Sequence, residues 1–195
     1  MTIKKKIQVM KRELILEEAA KLFIADGYEN MKIVDLATNV GVSVGTIYTL
    51  FGSKENLYNN YIISQIEHYL SIIEEETNRY ADPVEKLKAL AHIKFGAFVT
   101  HKNALREVVI NDPLFFINVS ADHDDSMMKL YIYITDNIMT PLSQSIKTKR
   151  SAIDMTFLFD GLSIGMIQHW IHTDGDLIER TDELIESFLL IVKER

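Results

Sequence analysis

Apolar residues recur every three or four positions along nearly the whole chain, and no long stretch alternates apolar with polar. Helices are therefore expected throughout and strands are not. Ile15, Ala19, Leu22 and Phe23 form one stripe, and Gly27 stands where a C-cap would end that helix. A short second helix is expected over about 32–39, with Ile33, Leu36, Ala37 and Val40 inward. Gly41 turns the chain, and Ser43 is placed to cap a third helix that reaches about Phe51. Gly52 breaks this helix, and Ser53 caps a long fourth one to about Tyr80. "DPVEKLKAL" opens a further helix, to about His101, with Asp82 as cap, Pro83 at the first helical position and Glu85 three residues after the cap. "NDPLFF" interrupts the chain at Pro113, and a helix from about Asp124 carries Pro141 in its interior, where it should kink. Ser151 caps a helix to about His172, "TDGD" turns the chain, and a last helix covers about 177–194.

Composition narrows this all-α reading. At 195 residues, nearly half of them apolar, the chain is long enough for a sound core. It has no cysteine, which excludes a disulfide framework and thiolate metal sites and suits a reducing cytoplasm. No apolar run reaches the roughly eighteen residues of a membrane span, and "MTIKKKIQVMKRELI" lacks the apolar core of a secretory signal. The expectation is a cytoplasmic protein with no membrane partner.

The net charge of −7 is unevenly spread. Residues 1–61 carry +1 and the remainder −8, while residues 1–12 hold five positive charges and no negative one. Such asymmetry points the amino-terminal end towards a polyanion, although a basic start is also common as a solvated tail.

The stretch that decides between these is "NVGVSVGTIYTLFGSKENL". Two short helices joined at "NVGVS" read as a helix-turn-helix, whose second helix enters the major groove by its amino-terminal end. Gly41 supplies the backbone freedom of the turn, and small Ala37 lets the helices approach. Gly45 costs helix propensity, yet leaves room for close approach to DNA. The N–H groups near Ser43 and Val44, with the side chains of Thr46, Tyr48 and Lys54, suit phosphate oxygens. Ile47 and Phe51 face inward. The helix has no Arg, Asn or Gln for a bidentate base contact, so apolar contacts from Val44 and Thr49 and DNA shape must carry part of the specificity.

Residues 12–58, "RELILEEAAKLFIADGYENMKIVDLATNVGVSVGTIYTLFGSKENLY", resemble the amino-terminal domain of the TetR family of transcriptional regulators. The resemblance implies an N-terminal three-helix DNA-binding domain, placed at residues 1–52, and a C-terminal helical ligand-binding and dimerisation domain at 53–195, about nine helices in all. By position, Lys54 is similar to the family's phosphate-contacting lysine, and Ser43, Val44, Gly45, Thr46, Tyr48 and Thr49 to its recognition-helix positions. Met31 stands where the family usually has a threonine, so Asn30 or Lys32 is expected to replace a cap or phosphate contact. Leu50 and Gly52 also depart from the usual residues. The resemblance further implies a homodimer through the last two helices, a small-molecule effector and release of a repressor from a palindromic operator.

The last two helices are apolar on more than one side, which fits a core on one face and a second copy on the other. One face of 151–172 carries Ile153, Phe157, Ile164 and Ile171, and Gly161 and Gly165 permit close helix approach. Phe95, Phe98, Phe116, Tyr131, Met155 and Phe159 are candidates for a lipophilic pocket, with ordinary core as the alternative. His169 and His172, followed by Asp174 and Asp176, have spacing that a metal could use, as has the acidic "ADHDDS" at 121–126. No activated serine, phosphate loop or carboxylate pair is evident, so neither an enzyme nor a cofactor is expected. The alternatives are a ligand-independent DNA-associated protein on the same fold and, further off, a metal-dependent enzyme.

Overall fold

The computed structural model describes residues 2–111 and 125–194, and every regular element among them is helical. In chain order these are α1 Ile3–Asn30, α2 Ile33–Val40, α3 Val44–Phe51, α4 Lys54–Thr77, α5 Pro83–Thr100 and α6 Lys102–Asn111. Then come α7 Asp125–Ile134, α8 Thr140–Ser145, α9 Ala152–Thr173 and α10 Thr181–Val192. A π-helical turn, Thr135–Met139, joins α7 to α8, and a 3-10 turn, Ile178–Arg180, precedes α10. The break at Pro113, Phe115, Phe116 and the start of the acidic run at 121–124 lie outside the described residues. Among the described residues no single helix is long and apolar enough to cross a membrane.

The chain forms two compact units: Met1–Gln65 with His101–Val119, and Ile66–Thr100 with Ser120–Arg195. In the first, Ile15, Ala19 and Phe23 of α1 are wholly buried with Leu36, Ile47 and Leu57, as the stripe positions require. Phe23, Tyr58 and Tyr61 form an aromatic cluster, with the Phe23 ring 5.1 Å from each of the two tyrosine rings. The helix α6, which the sequence does not separate from α5, belongs to this unit. Tyr58 donates to the Ala104 carbonyl at 2.7 Å, and the Tyr61 hydroxyl pairs with His101 Nδ1 at 2.6 Å.

Gly27 breaks α1: its φ +79°, ψ 173° are non-helical, the helix kinks there, and one short further turn follows to Asn30. The break also serves packing, because a Cβ at Gly27 would lie 3.0 Å from the Asn103 carbonyl oxygen, so α6 rests on bare backbone here. Asn103 Nδ2 also donates to Ile24 O, and Glu107 accepts from the Glu29 N–H.

The second unit is built on Leu87, Phe95, Ile138, Met155, Ile167, Leu184 and Phe188, all nearly or fully buried. Asp82 caps α5 as expected, accepting from the Val84 N–H at 2.8 Å, but Glu85 pairs with Lys88 rather than closing a capping box. Ser151 caps α9 through the Asp154 N–H. Pro141 lies inside a helical run, as expected: the backbone stays helical from α7 through the π turn into α8, and Pro141 sits in the first turn of α8, directly after the π turn. Proline clashes with the carbonyl four residues back, here that of Asn137. The wider turn accommodates that clash, and Lys86 Nζ takes up the Asn137 carbonyl.

Candidate nucleic-acid interface

The axes of α2 and α3 turn by 104°, within the range of a DNA-binding helix pair. Gly41, at φ +71°, ψ 37°, makes the left-handed turn, and its N–H and that of Val42 close back on Thr38 and Ala37. Ser43 caps α3 by accepting from the Thr46 N–H at 3.1 Å, while the two hydroxyls pair at 2.9 Å. Leu36, Ala37, Ile47 and Phe51 are buried, which fixes one side of each helix.

The opposite side is open. Ser43, Gly45, Tyr48 and Thr49 are exposed and Val44 and Thr46 half-buried, so all six expected contact positions are at least partly accessible. A Cβ at Gly45 would meet only Ser43 Oγ, at an ordinary 3.7 Å. Nothing inside the protein therefore requires a glycine at that position. Thr49 Oγ1 donates back to the Gly45 carbonyl at 2.7 Å, which turns its methyl group outward as a candidate for thymine contact.

Lys54 and Lys32 stand at the starts of α4 and α2. Lys54 Nζ donates to Glu29 O at 3.1 Å and lies 4.8 Å from the centre of the Tyr28 ring. That ammonium carries three donors, so engagement with α1 leaves others for phosphate. Lys32 is exposed, and its side chain makes no capping bond to α2. Asn30 donates its amide to Asp26 O, and Met31 is buried at 2 % exposure.

Arg12 is the positioning residue that the sequence hides among the basic residues of the amino terminus. Its guanidinium donates to Leu50 O and to Asn60 Oδ1 and stacks over Phe51 at 4.3 Å. It therefore holds the carboxyl end of α3 against α1 and α4. Its partners are 38 and 48 residues away, so no local pattern could have shown it.

Residues 15–61 match the family model described as bacterial regulatory proteins, tetR family. Over this stretch the chain is similar to the TetR-type DNA-binding domain. A relative, the fatty acid metabolism regulator protein of Bacillus subtilis (strain 168), is 24% identical over 180 residues, 88% of this chain and 90% of its own. Among solved structures, FadR from Bacillus subtilis in complex with stearoyl-CoA has a TM-score of 0.67 at 22% identity, over 90% of this chain and 96% of that one. FadR from Bacillus halodurans, a fatty acid degradation regulator, has a TM-score of 0.73 at 18% identity, over 95% and 97%. At these identities the likeness shows the fold, a helix-turn-helix domain followed by a helical domain; the match over residues 15–61 is what marks a DNA-binding regulator.

In the second unit the pocket candidates separate. Phe95, Met155 and Phe159 are buried, the last edge-to-face with Phe188 at 5.3 Å. Phe98 and Tyr131 are half-buried, and Phe116 lies outside the described residues. Tyr131 donates to Asp160 Oδ2 at 3.1 Å. Burial first, and then the Asp160 charge, push its phenol well above the usual range. Among the described residues no three His, Asp or Glu side chains stand together as a metal site. On α9, Ile153 and Phe157 are exposed at 45% and 54%, whereas Ile171, expected on the same face, is buried.

Proposed function

We propose that this protein is a TetR-family transcriptional repressor that binds a palindromic operator as a dimer and leaves it when a lipophilic small molecule occupies the second unit. The observation that carries the reading is the open face of α3, where a glycine that the fold does not need stands among Ser43, Val44, Thr46, Tyr48 and Thr49. In the groove, Val44 and Thr49 meet base edges, Gly45 gives clearance, and Ser43, Thr46, Tyr48, Lys32 and Lys54 meet phosphate. Residues 1–52 are assigned to DNA, and 53–195 to effector binding and dimerisation, with the start of α4 and α6 lent to the compact unit around the DNA-reading helices.

A second copy fits the exposed side of α9 and α10. Ile153, Phe157, Gly161 and Gly165 recur every four residues, and a Cβ at either glycine meets nothing within 4 Å. Leu190 and Ile191 of α10 add exposures of 80% and 42%. A two-fold dimer places two recognition helices about 34 Å apart, one turn of DNA. For the effector, the FadR structure holding stearoyl-CoA and the half-buried Phe98 and Tyr131 favour a long acyl chain. Ligand shifts the population only as far as it prefers the DNA-incompetent state.

The test is fluorescence anisotropy of a duplex selected by the protein from a random pool, titrated with hexadecanoate and hexadecanoyl-CoA. Saturable binding that either compound reverses is expected. Binding to DNA that no acyl compound reverses favours the ligand-independent alternative.

A further inference from the structure

One carboxylate in the second unit ties three helices together. Lys94 of α5 donates from Nζ to Asp160 Oδ1 of α9 at 2.5 Å and to Ser163 Oγ at 2.6 Å. Tyr131 of α7 donates to the other oxygen of Asp160, and its ring lies 5.1 Å from that of Phe157, just under one turn earlier on α9. The helix leaves its regular path four residues after Tyr131, at the π turn. There the Thr135 hydroxyl donates to the Tyr131 carbonyl and pairs with Thr156 of α9 at 2.8 Å. Isolated π turns are uncommon and concentrate at functional sites.

The Lys94 and Asp160 side chains are 18% and 31% exposed, shielded from water yet reachable. Such a pair contributes little net stability over apolar packing. It does offer exchange. The lysine has three donors, two of them used within the cluster. An incoming anionic oxygen can replace Asp160 on Lys94, and Asp160 retains the Tyr131 hydroxyl. The exchange removes the ionic link between α5 and α9, leaves the Lys94–Ser163 hydrogen bond between them, and keeps the link between α7 and α9.

We propose that Lys94, with Ser163, anchors the anionic head of a lipophilic effector, a carboxylate or a phosphate, and that the displacement of Asp160 from Lys94 loosens the contact of α9 with α5. The inference rests on the effector reading above and names the chemistry of the head. Because α9 is also the proposed dimer helix, its loosened contact with α5 is the event that alters the spacing of the two DNA-reading ends.

The experiment measures two quantities on the full chain: direct binding by isothermal titration calorimetry, and release from the selected duplex by anisotropy. The ligands are hexadecanoate, hexadecanoyl-CoA and hexadecanol, the last being the same chain without a charge. Lys94→Gln is expected to weaken binding of the anionic ligands about ten- to a hundredfold, the size of a charge-assisted hydrogen bond, and to leave hexadecanol unchanged. Lys94→Arg restores anionic binding. Asp160→Asn is expected to tighten it, because Lys94 no longer has a competing carboxylate. A purely structural tie predicts the same direction for Lys94→Gln and Asp160→Asn, since both break it. Losses in both variants, equal losses for hexadecanol, or no binding of any anionic ligand would overturn the proposal. Preference for hexadecanoate or for hexadecanoyl-CoA identifies the head as carboxylate or phosphate. Binding that follows this series without releasing DNA sustains the anchor and refutes the effector reading.

Discussion

Gly45→Ala is the substitution at which stability and DNA binding should part company. The residue lies in the first turn of α3 with no positive φ, and an added Cβ meets only Ser43 Oγ at 3.7 Å. Alanine is the better helix former by up to about 1 kcal/mol, so the folded protein should hold its stability or gain a few degrees in Tm. The same methyl group projects into the surface assigned to the groove. Overpacking of a close contact costs about 1–3 kcal/mol, which corresponds to a loss of roughly 5- to 150-fold in operator affinity. Thermal melts followed by circular dichroism, alongside anisotropy titrations at one fixed salt concentration, measure both quantities on one preparation. A drop in Tm that accompanies the loss of binding would mean that the glycine serves the fold. An unchanged affinity would mean that DNA does not approach α3 closely here. Either result refutes the reasoning.

Four further outcomes follow from the same geometry. Lys54→Ala should weaken binding to all duplexes and lower the salt slope by about one, while the loss of its contact with Tyr28 costs at most about 1 kcal/mol of stability; equal salt slopes would remove it from the interface. Gly27→Ala forces a side chain onto a φ of +79° and towards the Asn103 carbonyl at 3.0 Å, so Tm should fall by the equivalent of about 1–3 kcal/mol; an unchanged melt contradicts the close packing of α6 on α1. Burial, and then Tyr61 and Tyr28, raise the Tyr58 phenol, so the unfolded chain ionises first and stability should decline as pH rises above about 10, less steeply in Tyr58→Phe. Phe157→Asp should shift the sedimentation coefficient from dimer to monomer, and a dimer that persists would place the contact elsewhere.

What the sequence made legible was local. Gly41 and Ser43 act on residues within a turn of themselves, and the stripes at Ile15, Ala19 and Phe23 and at Ile47 and Phe51 follow from helical period alone. These suffice for the helix-turn-helix and for the side of it that faces out. Contacts made across long stretches of chain left no such trace. Arg12 reaches Leu50 and Asn60, α6 settles on Gly27, and Lys94 finds Asp160 66 residues away. In each case the sequence displays an ordinary basic residue or an ordinary amphipathic helix, and only tertiary packing gives it a role. Gly27 and Pro141 were legible as helix breakers by their own chemistry, but what the fold sets against each, α6 in one case and the π turn in the other, was not. The pocket candidates were chosen for bulk and softness, properties shared by core and cavity, so burial alone separates Phe95, Met155 and Phe159 from Phe98 and Tyr131.

The central claim, that two copies of α3 read one symmetric site, is tested most directly by selecting duplexes from a random pool with the full-length protein and sequencing what is retained. The account predicts a palindrome whose half-sites lie about 10 base pairs apart, or a small multiple of that, with retention lost in Phe157→Asp. Enrichment of a single asymmetric half-site, or no enrichment above the input pool, would contradict it.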